Sequence, residues 1–172
     1  VGTPNSGSVL AFEELLRGKE FAPKWLKYIS ATNLPSYSAA IIGTYPSLYE
    51  LLPRTRHNSA VDNNGNPVNI YDLKLWKKYN WGLLSEKSGK ELPWLLPNAK
   101  TPERRRELAT SYIKRCLENA QQFHQALDRK GVNQPKHLKI SLIAGDAIQT
   151  KERIKVHLSD GSIEDNNYTA GD

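Results

Sequence analysis

The chain has 172 residues, 38% of them hydrophobic and 24% charged, with a net charge of +6. That length supports one domain with a substantial core, and no stretch approaches the ~18 apolar residues of a membrane span. The single cysteine, Cys116, excludes an internal disulfide and a cysteine-rich metal site, and the basic residues are dispersed among acidic ones rather than gathered into a nucleic-acid footprint.

Residues 1–8 read as a strand end followed by a Pro/Gly loop. Val9, Leu10, Phe12, Leu15 and Leu16 then fall at helical spacing, and Gly18 ends that helix. Residues 21–31, with Trp25, Leu26, Tyr28 and Ile29, predict a second short helix. Pro46 suits the first turn of a helix carrying Leu48, Leu51 and Leu52, which Pro53 stops. The string D-N-N-G-N-P at 62–67 is a turn cluster. Residues 70–84 hold Tyr71, Leu73, Leu75, Trp76, Tyr79 and Trp81, whereas 85–97, with Gly89, Pro93 and Pro97, read as a loop containing Trp94.

The strongest signal is a helix over 101–130. Thr101 is a suitable N-cap, Pro102 sits at the first helical position and Glu103 favours the positive end of the dipole. Leu108, Tyr112, Cys116, Ala120, Phe123 and Leu127 recur at three- and four-residue steps and predict the buried stripe, with Gly131 as the stop. The apolar run at 139–144 predicts a strand ending at Gly145. Residues 153–158 alternate Ile154, Val156 and Leu158 inward with Lys155 and His157 outward, before an Asp160–Gly161 turn. The predicted class is α/β: a helical block inserted between two strands of a mostly parallel sheet.

Several strings resemble one family. G-T-P-N-S-G-S at 2–8 resembles a loop of lipases that follows the strand after the nucleophile turn. Y-P-S-L-Y-E-L-L-P at 45–53 resembles a segment of the lecithin:cholesterol acyltransferase-like α/β-hydrolases, a family of lipid acyltransferases and phospholipases. I-A-G-D-A-I-Q-T at 143–150 and A-G-D at 170–172 resemble that family's later strand turn and the opening of its acid loop. The resemblance implies a partial α/β-hydrolase fold with a helical cap or lid: a core segment at 1–53, a cap at 54–131, and a core strand, small hairpin and acid loop at 132–172. The sequence contains no methionine and no G-x-S-x-G string, so the expectation is an internal segment of a longer enzyme that begins after the nucleophile and stops before the histidine.

On that resemblance Asp172 is the triad acid, with Asp146, directly after the apolar run, as its rival. None of His57, His124, His137 and His157 is then the base, and His124 and His157 are expected at the surface or its boundary. Ser8 is expected to cap the helix after it, and Ser47 to lie in a first helical turn; neither Ser6, Ser8 nor Ser47 has a base at a recognisable spacing. Trp76, Trp81 and Trp94, interspersed with Lys74, Lys77, Lys78 and Lys87, are candidate contacts to a lipid interface, because indoles favour that zone and lysine stems reach toward anionic headgroups. The same aromatics equally suit packing of the cap against the core. The expected substrate is a lipid ester, presented by an anionic membrane or lipid surface. No cofactor, metal or nucleic-acid partner is expected, since no H-E-x-x-H, EF-hand, P-loop or dinucleotide pattern occurs. The competing expectation is a non-catalytic, lid-like module that binds lipid or protein.

Overall fold

Ser8 enters the first helix in extended conformation, with φ −137°, and its carbonyl takes the amide of Ala11 at 3.2 Å. Its hydroxyl makes no capping bond, so Ser8 caps through the backbone and not through the side chain as expected. Helix α1 (Val9–Arg17) buries Val9, Ala11, Phe12 and Leu15 and ends at Gly18, whose φ of +81° suits only glycine, as the sequence predicts. The computed structural model describes residues 6–20, 36–129, 137, 139, 141, 145 and 147–171. The expected strand end at 1–5, the helix over 21–31, the stop at Gly131, most of the strand over 139–144, and both Asp146 and Asp172 lie outside the described residues.

Strands β1 (Lys19–Glu20) and β2 (Ser36–Tyr37) pair antiparallel, and two short helices follow, α2 (Ala39–Ile42) and α3 (Pro46–Glu50). Pro46 opens α3 as the sequence predicts. A 3-10 turn (Thr55–His57) leads to β3 (Ala60–Val61). The D-N-N-G-N-P turn closes on itself: Asp62 Oδ1 accepts the amides of Asn64 and Asn66, both at 2.8 Å. Helix α4 (Leu73–Tyr79) is capped by Asp72, and a 3-10 turn (Gly82–Leu84) joins it to α5 (Glu86–Leu95). The expectation of a loop over 85–97 is therefore wrong. Ser85 Oγ caps α5 by accepting the amide of Ser88 at 3.1 Å, and Pro93 sits in its last turn.

Helix α6 (Pro102–Leu127) starts as predicted, with Thr101 Oγ1 accepting the amide of Arg104 at 3.2 Å. Its buried stripe is Ala109, Ile113, Cys116, Leu117, Ala120 and His124. The predicted stripe is thus displaced by one residue: Cys116 and Ala120 belong to both sets, whereas Phe123 and Leu127 are exposed. Strands β4 (Ile148–Val156) and β5 (Ile163–Gly171) form an antiparallel hairpin through the Asp160 turn, and β3 adds to β4 in parallel, Ala60 opposite Ile154. The order β3-β4-β5 makes a small mixed sheet, and the two strands expected to flank the helical block lie mostly outside the described residues. Ile154 and Val156 are buried as predicted, but Leu158 lies in the turn and is exposed.

The molecule has α/β character: helices packed around a mixed three-stranded sheet. One core collects Phe12, Leu15, Tyr49 and Leu52 from the first third, Trp76, Trp81 and Ile113 from the middle, and Ile154 and Val156 from the hairpin. Lys151 on β4 ties α1 to the hairpin, bonding Glu13 at 2.7 Å and Asp165 at 2.8 Å.

Candidate functional site

The described ends of two of the resembling strings, S-G-S at 6–8 and L-L-P at 51–53, lie against each other. The Ser8 amide donates to Leu51 O at 2.7 Å, and the Arg54 amide donates to Ser6 O at 3.2 Å. Between these bonds Gly7 has φ +84°, and a Cβ there would lie 2.3 Å from Leu52 O and 2.6 Å from Pro53 Cα. Only glycine allows the loop to approach the turn so closely.

The L-L-P turn is held equally firmly from its other side. Tyr71 Oη lies 3.1 Å from both Leu52 O and Pro53 O, and 3.2 Å from His124 Nδ1. His124 Nε2 donates to Glu50 O at 2.7 Å, since a carbonyl can only accept. The carbonyls of residues 50 and 51 each accept a hydrogen bond, from His124 and from Ser8, and the single Tyr71 hydroxyl stands within reach of Leu52 O, Pro53 O and His124 Nδ1. Burial pushes the Tyr71 phenol well above its ordinary range, with Arg54 opposing that shift, so it stays a neutral hydroxyl. His124 is buried, which corrects its expected surface placement. Sequence reasoning missed this pair because its partners are backbone carbonyls far away in the chain. The one signal in the sequence was a polar residue one position off the apolar stripe of α6.

Trp76 is fully buried and Trp81 is 5% exposed. Their indole N–H groups donate to Ile70 O at 2.7 Å and to Gly161 O at 2.8 Å. With Phe12 they form a mutual edge-to-face trio, with ring centroids 5.3 to 6.1 Å apart. As candidate lipid contacts Trp76 and Trp81 are therefore corrected: each indole commits its surface and its donor to the core. Trp94, 76% exposed on α5, is the one of the three that presents its ring to solvent. Leu92 and Leu95 of the same helix line a groove of about 360 Å³, with Leu83, Leu96, Leu108 and Tyr112. Tyr112 donates to Thr44 O, also of the groove wall, at 2.6 Å, and burial together with its Cys116 contact lifts its phenol to about 12.

The strings around the two candidate acids meet at one end of the β4–β5 ladder. Gly171, which precedes Asp172, pairs with Ile148, two residues after Asp146; Thr150 pairs with Thr169. Thr169 to Gly171 are strand residues here rather than the opening of a loop. Of the other candidates, Ser47 lies in the first turn of α3 as expected, and His157 sits 3.4 Å from Glu164. Among the described residues, no group of three His, Cys, Asp or Glu side chains is placed to hold a metal ion. No known protein family, no curated protein and no solved structure matches this chain.

Proposed function

We propose that this chain is part of a serine α/β-hydrolase that acts on lipid esters through an acyl-serine intermediate, as a lipase, phospholipase or acyltransferase. The observation that supports it best is the junction of the two strings. Two segments some 45 residues apart, one resembling a loop found in many lipases and the other a segment of the lecithin:cholesterol acyltransferase-like family, are hydrogen-bonded on either side of Gly7, where a side chain would meet backbone. Chance similarity of short strings gives no reason for them to meet.

In this reading Asp172 accepts the Nδ1–H of a catalytic histidine and stabilises the imidazolium formed when the serine is deprotonated. Serine, acid and histidine follow in that order along the chain in this fold class, so the serine and the histidine come from outside these 172 residues. The leucine-lined groove suits an acyl chain, and none of the described side chains that line it is acidic. The test is covalent labelling of the full-length protein with a fluorophosphonate. Labelling of one serine in a G-x-S-x-G string upstream of Val1 is the expected result, and absence of any labelled serine contradicts it.

Trp94 favours a second reading, a module that docks on anionic lipid surfaces. It stands exposed on α5 with Lys87 and Lys90 exposed on the same helix. Binding to anionic vesicles that Trp94→Ala abolishes, in a protein without labelled serine, would favour this reading.

A further inference from the structure

Arg54 follows directly after the L-L-P turn, and although charged it is only 7% exposed. Its Nη1 donates to Asp128 Oδ1 at 2.6 Å, and Arg56 Nη1 donates to the same oxygen at 2.7 Å. Two guanidinium groups thus converge on one carboxylate oxygen, whereas a carboxylate matched to its partners would offer each its own. The Arg54 Nε, buried from solvent, has no hydrogen-bond partner.

These groups line a recess of about 260 Å³ at the C-terminal end of α6, with Thr55, Gln121 and Gln125 as further walls. Among its described lining residues Asp128 is the only acidic side chain. Two arginines against one carboxylate leave one positive charge facing a cavity that is also bordered by Thr55, Tyr71, His124 and the amides of Gln121 and Gln125. Beside the recess, burial first and then Arg56 and Arg54 hold the His57 imidazole below its ordinary proton affinity, with Asp128 acting in the opposite sense. Accordingly, His57 Nε2 accepts a hydrogen bond from Arg56 Nε at 3.3 Å.

We infer that this recess is an oxyanion site that takes a phosphate monoester group, with Arg54 and Arg56 as its charged donors and Asp128 as the internal anion that occupies them when the site is empty. Guanidinium forks match phosphate oxygens in pairs, and the amides of Gln121 and Gln125 and the Thr55 hydroxyl supply neutral donors around them. The carboxylate holds the arginines in place and competes with the ligand. This site is independent of the acyl chemistry proposed above.

Inorganic phosphate, titrated calorimetrically into the protein at constant ionic strength against chloride, gives a saturable isotherm. Arg56 is half exposed, so Arg56→Ala leaves the fold intact, and affinity falls at least about tenfold. Asp128→Asn removes the competing charge, and affinity rises by about tenfold. A latch made only to pin α6 predicts no saturable binding at all. Absence of saturation, or an affinity unmoved by Arg56→Ala, or weaker binding in Asp128→Asn, overturns the assignment. Glycerol phosphate and phosphatidate-containing vesicles then separate the sources of the phosphate group. Uptake of glycerol phosphate identifies a soluble monoester, and preference for the vesicles identifies a lipid headgroup.

Discussion

Gly7→Ala separates the two strings that carry the proposed function, and its cost can be worked from the geometry. The added methyl would stand 2.3 Å from Leu52 O, where ordinary contact begins at 3.4 Å, so the loop must retreat by about 1 Å. The atoms met are backbone, and no rotamer change relieves them. Retreat breaks the bonds Ser8 N to Leu51 O and Arg54 N to Ser6 O, about 1 kcal/mol each. Holding alanine at φ +84° adds roughly 1 kcal/mol, for a total of about 3 kcal/mol. Gly65 supplies the control: its φ is +83°, and nothing lies within 4 Å of the place its methyl would occupy, so Gly65→Ala carries only the conformational part. Urea unfolding followed by tryptophan fluorescence compares the two. A difference of about 2 kcal/mol between them is expected from the two lost bonds. Equal destabilisation by both variants would refute the claim that the junction is a tight, glycine-dependent contact.

Trp76→Ala costs about 3–5 kcal/mol in chemical unfolding, because a fully buried indole and its bond to Ile70 O are lost, whereas Trp94→Ala changes stability by under about 0.5 kcal/mol. Tyr71→Phe keeps the ring but deprives the turn carbonyls of their hydroxyl, and costs about 1–2 kcal/mol by the same measurement. The bonds from Lys151 and Tyr168 hold the Asp165 carboxyl below its ordinary range, so its stabilisation is complete above about pH 4 and is lost as the pH falls through that lowered value. Lys151→Met therefore flattens the acid limb of a stability-against-pH curve, and an unchanged limb contradicts that role for the ion pair.

Helix α1, the start of α6 and the turns at 62–67 and 160–161 were legible because their signals are local: spacing, a cap, a proline, a glycine. The phase of α6 was not, because apolar residues occupy two adjacent rows. Leu108 and Tyr112 line the groove, while Ala109, Ile113 and Leu117 enter the core, and only tertiary contacts choose between the rows. His124 was misplaced for the same reason, since Tyr71 and Glu50 O, both remote in sequence, satisfy its ring nitrogens and so permit its burial. Gly89 and Pro93 argue for a loop, yet the Ser85 cap and the burial of Ser88 and Leu92 sustain α5. The tryptophans show how composition misleads. Lysines at 74, 77 and 78 suggest an interface, but helical geometry turns them outward while Trp76 points into the core. The junction of S-G-S with L-L-P was invisible in the sequence, because neither string encodes its partner.

The proposed acyl chemistry is tested most directly by the turnover of a phospholipid ester by the full-length protein carrying Asp172→Asn or Asp146→Asn. If Asp172 is the triad acid, Asp172→Asn lowers kcat by about four orders of magnitude with KM little changed, because asparagine leaves the histidine in the wrong tautomer, and Asp146→Asn has little effect. Undiminished turnover in both variants, or no turnover in the unmodified protein, contradicts the proposal.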